Sequence, residues 1–150
     1  MSRGLVKAVK VLSLTLALSV VLAAVAPAAL AGWAPRRDMA RWMNAARNNH
    51  GAVDLRRVWS LRHLADEHSE DMRDAGRIFH TTSLGSRLSF TSWSVAGENV
   101  GAGGRLRALF DAFMRSDAHR ANILGRSYRR VGIGIRVQDG IIWMTLIFVG

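Results

Sequence analysis

Between Arg37 and Asn49 the apolar residues Met39, Trp42, Met43 and Ala46 recur at the spacing of one helix face, and Gly51 supplies a stop. After a short connection through Leu55 and Val58, Ser60 is a candidate N-cap for a second helix. There Leu61, Leu64, Ala65, His68, Met72 and Ala75 keep the helical interval as far as Gly76. From Arg77 to Gly104 the rhythm is lost. Gly, Ser and Thr dominate, which predicts a long loop with at most one helical turn, at Leu84 to Leu88. Leu106, Leu109, Phe110 and Phe113 then mark the buried face of a third helix over 105–115, and Ser116 can cap a short further helix that runs to Leu124 and closes at Gly125.

Beyond Gly125 the period changes from helical to alternating. Val131, Ile133, Ile135 and Val137 alternate with Gly132, Gly134 and Arg136, Asp139-Gly140 offers a two-residue turn, and Ile141 to Val149 is almost continuously apolar. This predicts a C-terminal antiparallel hairpin whose second strand is buried on both faces. Helices first and strands last make an α+β domain with helices packed on an antiparallel sheet.

Residues 1–31 stand apart. Arg3, Lys7 and Lys10 precede a run from Val11 to Val25 made only of Leu, Val, Ala, Ser and Thr; Pro27 follows, and Ala29-Leu30-Ala31 sets small residues at the positions a signal peptidase reads. The pattern predicts an export signal cut after Ala31, leaving a single domain over 32–150 that is secreted into the extracellular space or cell envelope. The alternative is an uncleaved membrane anchor, because about 20 apolar residues can span a bilayer. Both readings put the rest of the chain outside the cytoplasm. Roughly 120 residues remain, enough for one modest core and no linker. With no cysteine in the chain, disulfides and thiol chemistry are excluded, and the exported domain must hold together by packing.

The 21 basic residues outnumber the 11 acids, giving a formal charge of +10, and beyond residue 31 every basic residue is Arg. Such a surface attracts an anionic envelope, whether wall polymer or lipid headgroups, or else serves solubility alone. The arginines stand singly or in pairs, as at Arg36-Arg37, Arg56-Arg57 and Arg129-Arg130, without aromatic interleaving. That pattern, and export itself, argue against nucleic acid as a partner. A monomer is expected.

The chain has five histidines. His68 falls on the apolar stripe of the second helix and reads as a hydrogen-bonded core residue, whereas His63 projects elsewhere and carries no assignment. His80 opens the long loop. Glu98 lies in Ala96-Gly97-Glu98-Asn99, where Gly97 permits a turn that aims the carboxylate inward, and His119 begins the short helix. Two imidazoles and a carboxylate from three segments suit a divalent cation such as zinc, with one position open for water. The alternative is two surface histidines and a glutamate that caps a loop.

A run of motifs joins these residues: Asn44-x-x-Arg47, Leu64-Ala65-x-x-His68-Ser69-x-Asp71-Met72, His80, Gly97-Glu98-Asn99, Ser116-x-x-His119-Arg120-x-Asn122-Ile123-Leu124, Val131-Gly132-Ile133-Gly134 and a last strand with Trp143 and Phe148. Their order over residues 38–150 resembles the bacterial, cysteine-free branch of the CAP superfamily, the SCP-domain proteins named after cysteine-rich secretory proteins, antigen 5 and pathogenesis-related proteins. The resemblance implies a three-layer α-β-α sandwich with a central antiparallel sheet and an open groove, in which His80, Glu98 and His119 hold the metal if one is bound. Relatives usually carry a second glutamate where this chain has Ser116, so the set has three ligands at most and the vacant position borders the ligand groove. Asp117 reads as serving a helix start and Asp111 a solvated face. Arg120 and Asn122 are expected to fix the short helix against the sheet, Asn99 to hold the Glu98 turn by local backbone bonds, and Gly132 and Gly134 to admit a close neighbour. Trp93 is placed either to flank the groove as a ligand contact or to anchor its loop.

The expected function is a non-enzymatic extracellular binding module whose groove takes a small molecule, a peptide or a wall fragment. The alternative is a metal-assisted hydrolase, in which the ion acidifies bound water, although no second carboxylate is evident beside Glu98 as general base. In a third reading the arginine surface attaches the protein to the envelope and the groove is inert.

Overall fold

The structure, a computed structural model, describes residues 33–150. The export signal, its cut after Ala31 and the alternative anchor lie outside the described residues. Helix α1 (Trp33–Asn48) is followed by β1 (Arg56–Arg57), α2 (Trp59–Ala75), α3 (Leu84–Arg87), β2 (Ala96–Gly103), α4 (Leu106–Arg115), α5 (Asp117–Leu124), β3 (Arg130–Gln138) and β4 (Ile141–Val149). Among the described residues the strands form one sheet in the order β1-β3-β4-β2, and no helix is long and apolar enough to cross a membrane.

The C-terminal hairpin forms as its alternation dictates. Asp139 (φ 51°) and Gly140 (φ 75°) both take left-handed backbone, as the tight turn between β3 and β4 requires. Two expectations, the loop at 96–103 and the Ser60 cap, need correction. Residues 96–103 are not loop but a strand, antiparallel to β4 with Ala96 opposite Val149 and Gly103 opposite Ile142. The sheet is antiparallel except at its rim, where the two residues of β1 run parallel to β3. Helix α2 is capped by Val58 in extended backbone with no side-chain cap bond, so Ser60 falls inside the first turn; its other end closes as expected on Gly76 (φ 63°).

Alternation along β3 and β4 divides the interior in two. Val131, Ile133, Ile135, Met144, Leu146 and Phe148 face Met39 and Met43 of α1, Leu109, Phe110 and Phe113 of α4, and Ile123 of α5. On the opposite face Ile147 and Val149 meet Leu61, Leu64 and Ala65 of α2, and farther along Trp143 and Val100 meet Met72. The result is the three-layer α-β-α sandwich. Helix α2 lies directly on the strands, since a Cβ at Gly132 would stand 2.2 Å from the Leu61 carbonyl oxygen and one at Gly134 2.0 Å from that of Ala65. Only glycine admits that approach.

Two arginines pin α1 in place. Arg47 is fully buried and donates to the carbonyls of Val53, Ile123, Gly125 and Tyr128, tying α1 to the end of α5. Burial, followed by the charge of Arg129, pulls its pKa below the ordinary arginine value. Arg36 works at the rim of β3. There β1 reaches only as far as Val131, whose carbonyl accepts from the Val58 amide at 3.0 Å. Beyond it Arg36 donates to the carbonyls of Ile133 at 3.1 Å and Ile135 at 3.3 Å, while Asp66 of α2 accepts from the Ile135 amide at 3.0 Å. The two side chains also pair with each other at 2.6 Å.

Candidate functional site

Glu98 sits in the middle of β2, the other rim of the sheet, and its side chain is buried toward α2. Both oxygens are engaged. Oε2 accepts from His80 Nδ1 at 2.8 Å and from the Thr81 amide at 2.9 Å, and Oε1 accepts from the Thr81 hydroxyl. His68 Nε2 lies 4.0 Å from Oε1 but gives its hydrogen bond to the Phe79 carbonyl at 2.8 Å. The segment Phe79-His80-Thr81 is therefore fastened at three successive residues, and the buried carboxylate meets the donors that such burial demands.

This arrangement fixes the His80 ring. A carboxylate only accepts, so Nδ1 carries a proton, and it is the neutral form of the ring that offers a lone pair at Nε2, on a side chain that is 62% exposed. His119 approaches from the other layer. It stands in the first turn of α5, half-buried, with its ring edge-on to Phe113 at 5.1 Å between centroids. Burial, followed by the charge of His80, pushes its pKa below the ordinary 6.5, so the ring is held neutral at neutral pH.

Asparagines lock α5 to β2. Asn99 Nδ2 donates to the His119 carbonyl at 2.9 Å, and Asn122 Nδ2 donates to Asn99 Oδ1 at 2.9 Å and to the Glu98 carbonyl at 3.2 Å. Asn122 thus plays the expected part. Asn99 does not: there is no Glu98 turn for it to hold, and its bond runs to another element. Gly97 serves closeness rather than turning, for a Cβ there would meet the Tyr128 hydroxyl at 2.4 Å and Asn122 Oδ1 at 2.8 Å. Arg120 also departs from expectation, being exposed with its guanidinium 3.1 Å from His50 Nε2. Asp117 does occupy the first turn of α5, and Asp111 pairs with Arg107 on an exposed helix face.

Ser116 joins α4 to α5 at the N-cap position, but its hydroxyl makes no cap bond. Trp93 is 42% exposed and lies against Gly85 of α3, whose Cβ would stand 3.2 Å from the indole. No hydrogen bond or ring contact among the described residues joins Trp93 to His80, Glu98 or His119. Nor are three or more His, Asp or Glu side chains gathered there so as to hold a metal ion. With Glu98 turned to protein donors, the chemistry that suits a cation is the pair of imidazoles, and the carboxylate acts behind one of them. Thr81 is a partner that the sequence left unnamed, whereas His68 is the buried, hydrogen-bonded core residue expected, with its place beside Glu98 unforeseen. Their only sequence signals are Thr81's adjacency to His80 and a polar ring on an otherwise apolar stripe.

Residues 41–148 match the cysteine-rich secretory protein family, CAP. The uncharacterized protein YkwD of Bacillus subtilis is 32% identical over 114 residues, which take in 71% of this chain and 44% of that one. The chain thus spans less than half the length of that relative. An extracellular protein containing an SCP domain from Bacillus anthracis has 27% identity and a TM-score of 0.67, over 75% of this chain and 39% of that one. An outer surface protein from Borrelia burgdorferi shares the fold, with a TM-score of 0.70 at 16% identity, over 77% of this chain and 91% of that one.

Proposed function

Because the chain belongs to the cysteine-rich secretory protein (CAP) family, which has extracellular members, we propose that it is an exported, non-enzymatic binding module whose recognition centre is the His80–His119 pair. The observation that carries this reading is the commitment of Glu98. Its oxygens position His80 and Thr81, which is the work of an orienting group rather than of a base that takes protons from water. The occupant is a small molecule, peptide or wall fragment that reaches the exposed edge of His80.

A divalent cation such as zinc would be held here by His80 Nε2 and the His119 ring, with Glu98 orienting His80 from behind. When bound, the ion would supply an electrophile for a carbonyl or phosphoryl oxygen of the ligand. The chain's own contribution is to set the His80 tautomer and to keep His119 deprotonated. Two imidazoles alone make a weak site, and binding declines as the rings protonate in acid.

Calorimetric titration of zinc into the purified chain and into His80→Ala and His119→Ala tests this. Weak binding in the parent, about tenfold weaker or more in either variant, is expected. Equal heats from all three proteins would overturn the site. Secretion is checked separately by sequencing the N-terminus of protein recovered from the medium, which should begin at Gly32.

A further inference from the structure

A second constellation lies at the opposite rim of the sheet, about 14 Å along α2 from His68 at 1.5 Å per residue. Trp59, the first residue of α2, is 74% exposed, the most exposed of the large apolar side chains described. It is not loose. The imidazole of His63 stacks on the indole at 5.7 Å and 5°, Glu67 holds His63 at 3.3 Å, and Arg87 holds Glu67 at 2.9 Å. The indole is therefore partly backed by His63 while most of its surface stays open.

Trp59 is a ridge between two hollows. On one side is a cavity of about 370 Å³ lined by Arg36, Arg57 and Arg62 over a floor of Val58, Val131 and Ile133. On the other is a hollow of about 430 Å³ bounded by His63, Leu64, Glu67, Arg87 and Phe90, the last half exposed. Both volumes are in the range of small-ligand sites. Asp66 pairs with both Arg36 at 2.6 Å and Arg62 at 3.1 Å, and Arg57, the third arginine of the lining, is exposed.

We propose that the Trp59 ridge and its two hollows form a second binding site, for an acidic glycan, a chain of sugar rings carrying carboxylate or phosphate groups. The face of a sugar ring offers C–H groups that settle on the electron-rich face of an aromatic ring. Successive rings then drop into the flanking hollows, and an anionic substituent meets the arginine-lined cavity, where guanidinium forks match carboxylate and phosphate oxygens. A flat bilayer would touch the ridge without filling the hollows. A lone small anion would fill the arginine cavity and leave Trp59 and Phe90 bare. This site shares no lining residue with the His80–His119 pair, so it stands or falls separately from the function proposed above.

The test uses the full chain and two probes read by calorimetry at low ionic strength, a hyaluronan hexasaccharide for carboxylate and mannopentaose 6-phosphate for phosphate. At least one should bind. Its affinity should fall about tenfold or more in Trp59→Ala and in Arg57→Gln, both exposed positions whose melting temperature should not move. It should also fall on methyl esterification of the probe, or on removal of its phosphate, and be unchanged in His80→Ala. Failure of both probes overturns the proposal, as does equal binding of the neutralised probe or indifference to Trp59→Ala. Binding to phosphatidylglycerol vesicles that depends on Trp59 while neither glycan binds would replace it with a membrane surface.

Discussion

The two faces of the sheet are built by opposite means. Toward α1, α4 and α5 the strands present large side chains, Met144, Leu146, Phe148, Val131, Ile133 and Ile135, and the helices stand off at the distance those side chains set. Toward α2 the strands present Gly132 and Gly134, and the helix backbone rests on them. The first face is mainly apolar, although Arg47 and Asn99 are buried on it. The second carries Asp66, His68, Ser69, Thr145 and Glu98 among its buried residues, and no buried side-chain nitrogen or oxygen among the described residues lacks a hydrogen-bond partner. Apolar burial is tolerant of direction, whereas buried polar groups stabilise only when every bond is made. One face thus supplies bulk stabilisation and the other supplies position. The candidate site draws on both at the β2 rim, Glu98 from the close face and His119, resting on Phe113, from the apolar one.

If that contrast is right, the faces fail under opposite insults. Phe148→Ala, which empties space on the apolar face, is expected to cost about 3–5 kcal/mol in chemical denaturation. Gly134→Ala, which adds one methyl group on the close face, should cost about 1–3 kcal/mol or more, because the atom it meets belongs to a helix backbone. A Gly134→Ala protein as stable as the parent would break the comparison.

A smaller effect tests the polar content of the close face. Burial alone would raise the pKa of Asp66, but the hydrogen bonds from Arg36 and the Ile135 amide, with the charges of Arg36 and Arg136, outweigh it and hold the carboxyl below its ordinary value. A depressed carboxyl stabilises the fold above its unfolded pKa of about 4, and this is lost as pH falls through the folded value. Asp66→Asn should therefore cost about 1–3 kcal/mol at neutral pH, with the gap to the parent closing in acid. Parallel stability curves would remove Asp66 from that role.

The smallest effect lies at the junction of the faces. Since burial and then His80 lower the His119 pKa, its neutral form stabilises the fold above the ordinary 6.5, and that part is lost as pH falls through the folded value. In an NMR titration the His119 midpoint should lie below 6.5 and move upward in His80→Asn, where the neighbouring charge is gone. No movement would separate the two rings.

The same contrast explains what could be read from the sequence. The hairpin, α1, α2 and α4 were legible because they bury their own apolar side chains, and apolar periodicity is what a sequence displays. Strand β2 was not, because on the side facing α4 it contributes Gly101 and Gly103, and the apolar matter there comes from Phe113 and Leu109 of the helix. A pattern reports which side chains are apolar, not which backbones touch. Two-residue β1 is too short to have a period at all. The motifs named His80, Glu98 and His119, but the bonds from Thr81 and the nearness of His68 depend on the path of the 77–83 segment, which no spacing encodes.

The clasp of Arg36 and Asp66 has a consequence for how this chain meets other chains. A strand whose outer backbone groups are bare is a template for any passing extended segment, and proteins guard such rims with bulges, charges or covering elements. Here β1 ends after two residues, and the guard is a pair of side chains. At Ile135 the outward amide is given to Asp66 and the carbonyl to Arg36, so an invading strand would have to expel an ion pair before gaining its first bond. The charge that orders the rim thereby also protects the domain from polymerising through it.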